Sequence, residues 1–183
     1  MPLTTFRRSP ASLSALMALG GVVILPACSS YGGELAVSLS MPVRENFDVV
    51  SSVLEPHCGT LDCHGGPARN FRVYGKRGIR ALGNDTTGAN NDTNESDVDA
   101  TYQSIVSIEP EVLSRVFQEH GRDPQRWIVV SKARGAEHHV GGTSIAEGSP
   151  GDRCLVSWIS GALDPSACAA DVFGPMPHPG ATW

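Results

Sequence analysis

The residues best placed to do chemistry lie together in one stretch, Cys58-Gly-Thr-Leu-Asp-Cys63-His64-Gly65-Gly66. Two thiols and an imidazole, the last two adjacent, are followed at once by two glycines. A pair of cysteines with a histidine directly after the second is how a polypeptide attaches haem, usually with two residues between the thiols. Here four intervene. The chemistry still holds at the wider spacing: each thiol can add to a vinyl group of the porphyrin, and His64 can reach the iron from one side as its proximal ligand. Gly65 and Gly66 carry no Cβ, so the chain is expected to turn sharply away from a ring plane. Two plainer uses of the same residues stand beside this one. Cys58 and Cys63 could form a disulfide closing a tight loop, with His64 on the surface, or they could be half of a zinc site, which normally shows a second ligand pair at matched spacing.

The motif is similar to the attachment site of class I cytochromes c, in the wider-spaced form of some multihaem cytochromes. Together with His138-His-Val-Gly-Gly142 and Cys154-Leu-Val-Ser-Trp-Ile-Ser-Gly161 it resembles a group of myxobacterial and planctomycete cytochrome-c-like lipoproteins, over residues 43–168. The resemblance implies a mainly α fold, a small cytochrome-c-like helical domain with long irregular loops. It implies covalent haem c on Cys58 and Cys63, iron held by His64, and exchange of single electrons with redox partner proteins. It also implies that the carbonyl of Pro67 accepts the Nδ1–H of His64, which would fix the ring and raise the basicity of the ligand. Pro67 serves equally well as a plain turn residue.

For the second axial position the chain departs from this family, which usually supplies a methionine between the attachment site and the last helix. The methionines are Met1, Met17, Met41 and Met176, none of them in that interval. His138 and His139 stand there instead. His139 is the expected ligand, because the glycines of Val140-Gly-Gly let the backbone approach the ring, and bis-histidine ligation lowers the potential relative to His/Met. Met176 is the alternative and would need the tail to fold back. If neither binds, the iron is five-coordinate and the chain is a binder of a small ligand such as O2, NO or CO.

Elements must position these groups. Val43, Phe47, Val50 and Leu54 recur as one helical stripe, with Pro42 at its start and Pro56 expected to stop it before His57-Cys58. A helix leading straight into the Cys-His motif is the order of class I cytochromes c. Phe71 and Tyr74 are expected against the cofactor edge, and Arg72, Lys76, Arg77 and Arg80 either pair with haem propionates or form a solvated basic face. Residues 83–97 are polar and predict a surface loop. Val98, Tyr102 and Ile105 mark one short helix, Leu113, Val116 and Phe117 another that ends at Gly121. Trp127-Ile-Val-Val130 predicts a buried extended segment or short strand. Ser149-Pro150-Gly-Asp152 opens the last helix, with Cys154, Leu155, Trp158 and Ile159 as its buried face. In cytochromes c the first and last helices cross, and the Phe47/Val50/Leu54 stripe suits that contact. The segment from Ala162 to Trp183 is rich in Pro, Gly and Ala and is expected to be irregular, with 169–183 as a tail.

The N-terminal segment bears on where such a protein works. Arg7 and Arg8 precede an uncharged apolar run from Leu13 to Leu25, the pattern of a secretory signal peptide over residues 1–27. It ends Leu25-Pro-Ala-Cys28, which resembles a bacterial lipobox and implies lipidation of Cys28. Simple cleavage after Ala27 would leave Cys28 as an ordinary thiol. Two or more acyl chains would anchor the product without a membrane-spanning helix. Ser29 resembles the second residue of outer-membrane lipoproteins, and residues 28–42 predict a tether that holds the domain off the cell-envelope membrane on its periplasmic face.

The chain has 183 residues, so about 155 remain after processing, enough for one domain. Lys and Arg fall from 14 to 12 against 19 acids, and the net charge of −5 becomes −7. An acidic protein without a basic patch is a poor partner for nucleic acid. No nucleophile or acid–base constellation is visible, so no enzyme is expected. If one of the five cysteines goes to lipid and two to haem, Cys154 and Cys168 are free to form a disulfide worth roughly 3 kcal/mol by chain entropy. Without haem, the same chain would be a disulfide-stabilised envelope lipoprotein serving as a structural or interaction module.

Overall fold

The computed structural model of the protein describes residues 38–81 and 92–173. The fold is mainly α: α1 (Phe47–Cys58), α2 (Glu95–Val106), α3 (Pro110–Gln118), α4 (Ile128–Ala133), α5 (Pro150–Ile159) and α6 (Pro165–Phe173), with short 3-10 turns at Arg44–Asn46 and Pro124–Arg126. No strand forms among the described residues, and no helix among them is long and apolar enough to cross a membrane.

α1 is the central element, packed against α2, α5 and α6. Its stripe of Phe47, Val50, Val53 and Leu54 is buried, and full burial of such side chains stabilises the fold by about 1.5–3 kcal/mol each. The first and last major helices do meet, since the Phe47 ring lies 4.9 Å from Trp158 and 5.5 Å from Tyr102, centroid to centroid. Pro56 does not stop α1. The helix continues through it to Cys58 and closes with the Gly59 amide on the Glu55 carbonyl at 2.9 Å. The one donor lost to Pro56 would have served Ser52, an exposed residue whose carbonyl water can satisfy.

Three other expectations are corrected. The end of the polar loop at 95–97 is already helix. Asn94 caps α2 in a capping box with Asp97, and buried Asp97 accepts from the Ala81 amide and from Arg80 Nε, both at 2.9 Å. The Trp127 run is not extended. Trp127 caps α4, and buried Trp127, Val130 and Ala133 fall three residues apart, a helical period. Residues 165–173, expected to be irregular, form α6, whose first amides at Ser166 and Ala167 are taken by Asp164 Oδ1 at 3.0 and 3.1 Å. Cys154 of α5 and Cys168 of α6 are joined by the expected disulfide. At the start of α5, Ser149 accepts from the Asp152 amide, and Asp152 takes the fork of Arg134 at 2.8 and 3.0 Å.

Candidate functional site

α1 ends at Cys58, and the Cys-His segment returns to that end as a compact turn. The Cys63 amide donates to the Thr60 carbonyl at 2.9 Å and the His64 amide to the Cys58 carbonyl at 2.8 Å. The extra residues of the wide spacing are thus folded into a turn, and His64 is brought back beside Cys58. The glycines after it serve close approach. A Cβ on Gly65 would lie 2.1 Å from the Gly59 carbonyl oxygen and 2.8 Å from Gly78 Cα, so any side chain there would wedge three strands of backbone apart.

His64 Nδ1 is 2.9 Å from the carbonyl of Phe71. The acceptor is therefore Phe71 and not Pro67, because the chain after Pro67 loops out and comes back with the Val73 amide on the His64 carbonyl at 2.9 Å. A carbonyl partner places the proton on Nδ1 and leaves Nε2 as the basic nitrogen. Burial lowers the affinity of this imidazole for a second proton. The Phe71 carbonyl opposes that shift, and the neighbouring His139 and Arg69 reinforce it. The Phe71 ring packs on the imidazole with centroids 4.7 Å apart.

His139 comes from the loop after α4. The Gly142 amide closes a turn on the His139 carbonyl at 2.8 Å, and His139 Nδ1 lies 3.3 Å from the Gly142 carbonyl. Gly142 has φ of 62°, a glycine conformation, and the His139 ring lies over Gly141, where a Cβ would be 3.1 Å from Cε1. The outcome is that His64 and His139 face one another with ring centroids 5.8 Å apart and planes within 18° of parallel. His138 is exposed and does not line the site.

Both imidazoles line a cavity of about 190 Å³ whose other walls are mostly apolar: Leu54, Phe71, Ile108, Ile128, Val129 and Leu155, together with the buried Cys58. Cys58 is buried, and burial pushes its thiol up to about 12, while the Ser144 hydroxyl beside it pulls slightly the other way and Cys63 adds to the rise. That hydroxyl also lines the cavity and makes no hydrogen bond of regular geometry. Cys58 and Cys63 are free thiols and are not joined to each other. Among the described residues no group of three or more His, Cys, Asp or Glu side chains surrounds a bare-ion position.

Comparison of the chain with protein-family models, with curated proteins and with solved structures finds no match.

Of the sequence-predicted residues, the structure brings Cys58, His64 and His139 to one cavity, with half-exposed Cys63 adjacent to His64 in the chain. Cys154 and Cys168 act elsewhere, joining α5 to α6. Cys28 and Met176 lie outside the described residues. Tyr74 does not line the cavity. Nor do the four basic residues: Arg80 serves Asp97, Lys76 reaches Asp92 at 3.4 Å, Arg72 donates to the Arg69 carbonyl at 2.9 Å, and the Arg77 amide caps Glu55 at 3.1 Å. The lining residues that sequence reasoning passed over include Asn70, Lys132 and Ser144. Lys132 had a signal in hindsight, sitting four residues after Ile128 on the face of α4 that also carries Val129.

Proposed function

We propose that this chain is a monohaem c-type cytochrome of the bacterial cell envelope, tethered by lipid on Cys28 and passing single electrons between redox partner proteins. The facing pair His64 and His139, in the lining of a mostly apolar cavity that also includes the buried free thiol of Cys58, is the observation that carries the reading. The rings lie 5.8 Å apart, and each has Nδ1 beside a backbone carbonyl, so Nε2 is the basic nitrogen each would offer to a metal. The cavity is smaller than the roughly 300–1,000 Å³ of common small-molecule sites, so a macrocycle would be only partly enclosed.

Cys58 and Cys63 would hold the group covalently, His64 would be the proximal ligand and His139 the distal one. Bound there, haem supplies a one-electron Fe(III)/Fe(II) couple. The chain's part is to set that couple. The Phe71 carbonyl keeps the proton on Nδ1 of His64 and makes Nε2 the better donor. Leu54, Ile108, Ile128, Val129 and Leu155 would give the group an apolar contact surface on its enclosed side, where the local dielectric is lower than in water.

The test is expression with a c-type maturation system, followed by a haem stain on a denaturing gel. The parent chain should retain haem through denaturation, and the Cys58→Ser/Cys63→Ser double variant should not. A parent chain that emerges colourless sinks the proposal and leaves the disulfide-stabilised lipoprotein as the reading.

A further inference from the structure

The loop that carries His139 is well fastened at its base and weakly at its tip. At the base, the Ala136 amide donates to the Ser131 carbonyl at 2.9 Å, and the amides of Ser144 and Ile145 share the Ala133 carbonyl at 3.0 Å each. At the tip, Val140 is 91% exposed and the turn from His139 to Gly142 bonds only to itself. One side chain among the described residues reaches this tip from the helix: Lys132, in the last turn of α4, donates from Nζ to the His138 carbonyl at 3.0 Å. That oxygen belongs to the peptide unit whose nitrogen is His139 N. Because the unit is planar, holding the oxygen restrains the position of His139 Cα, the atom from which the side chain departs. Lys132 is also the one Lys, Arg, Asp or Glu among the described residues that line the cavity, so its stem packs where its head group pins the loop. Its pairing with Glu137 at 3.7 Å adds little, both side chains being about half exposed.

We infer that Lys132 is a positioning residue, holding His139 over the cavity by clamping the His138 carbonyl. The inference rests on the proposed haem function for its consequence, which is that Lys132 controls how readily an outside ligand displaces His139. It touches no reacting atom itself. A charged donor on a carbonyl is among the stronger single hydrogen bonds, and on a half-exposed site its loss corresponds to roughly tenfold in a rate or equilibrium.

The experiment compares holoprotein of the parent with Lys132→Met, which keeps the stem, and Lys132→Arg, which keeps a donor. The readout is the rate at which free imidazole binds the ferric protein. Lys132→Met should carry the parent's load of covalent haem and bind imidazole about tenfold faster, and Lys132→Arg should return to within about threefold of the parent. A fully loaded Lys132→Met protein that binds imidazole at the parent's rate overturns the inference. If the parent holds no haem, the proposed function fails instead, and the clamp is judged on the haem-free chain by amide hydrogen exchange. The Gly142 amide should then exchange about tenfold faster in Lys132→Met while the Val73 amide, bonded to the His64 carbonyl, stays as in the parent. Equal exchange at Gly142 in the two chains overturns the inference there too.

Discussion

His64 and His139 face each other at 5.8 Å although neither sits on a helix. One is pinned by a turn folded back onto the end of α1, the other by a glycine turn beyond α4. Each ring has its Nδ1 beside a backbone carbonyl, Phe71 for His64 and Gly142 for His139. Both therefore carry their basic lone pair on Nε2.

In holoprotein, His139→Ala should leave haem covalently attached and convert a low-spin spectrum to a high-spin one that shifts with CO, since only the distal position is lost. His64→Ala should abolish stable holoprotein. A His139→Ala protein with an unaltered low-spin spectrum, together with a Met176→Leu protein that loses it, would move the distal ligand to the tail.

Gly141→Ala tests the seat of the distal ring. The new Cβ would stand 3.1 Å from His139 Cε1 and 3.4 Å from Nδ1, so the ring must give by a few tenths of an ångström. The thermal midpoint should change by less than about 2 °C, because the site is on an open loop. Imidazole binding to the ferric protein should become roughly three- to tenfold tighter. An unchanged affinity would mean that the ring is not held against the glycine.

The two free thiols should react unequally in the haem-free chain. Cys63 is half-exposed, while Cys58 is buried and its thiol is pushed up to about 12 by that burial. At pH 8, iodoacetamide should label Cys63 in native protein and reach Cys58 only after denaturation, with mass spectrometry of the peptides as the readout. The same shift has a stability consequence. A group raised in the folded state contributes stability that is intact below its unfolded value near 9 and is lost as pH rises toward 12. Denaturant midpoints should accordingly fall across that alkaline range, and Cys58→Ser should flatten the fall.

The helical stripes and the cap at Ser149 were legible because each is a local signal: apolar residues at a period near 3.6, or a side chain bonding an amide three residues on. The Cys154–Cys168 link followed from counting thiols once three had been spoken for. Trp127 to Val130 was not legible, since four apolar residues fit either period, and only the burial of Ala133 completes the helical one. Pro56 misled because a single lost donor near a helix end can be met by water. The site was half legible. The motif exposes His64 and the doubled histidine exposes His139, but the Phe71 carbonyl and the Lys132 clamp depend on loop paths that bring backbone oxygens to them. No side-chain pattern encodes a backbone acceptor.

The disulfide between α5 and α6 closes a loop of 14 residues. Removing it by Cys154→Ser/Cys168→Ser should cost about 3 kcal/mol by chain entropy, or roughly 6–12 °C in the thermal midpoint for a domain of this size. Scanning calorimetry with and without reductant gives the same comparison on the parent. A midpoint indifferent to both would mean that packing of α5 against α6 holds the two helices without the bond.

Beside the disulfide, α6 is held to α1 by a pair that sequence alone did not suggest. His57 Nε2 is 2.8 Å from Asp171 Oδ2, and the two side chains are only 10% and 9% exposed. Gly151 of α5 makes room for this carboxylate, since a Cβ there would lie 2.6 Å from Asp171 Oδ1. The pair adjoins the functional end of α1, because His57 immediately precedes Cys58. Truncating one member strands the other in a dry position, which is more costly than the pair itself is favourable. His57→Ala should therefore destabilise the chain by about 3 kcal/mol, and Asp171→Asn, which keeps an acceptor oxygen, by about 1 kcal/mol. The His57→Ala/Asp171→Ala double variant should lose less than the sum of the two alanine singles, with a coupling of at least about 1 kcal/mol in urea unfolding. Strict additivity would show that the two groups are neighbours without mutual stabilisation, and α6 would then owe its position to the disulfide and apolar packing alone.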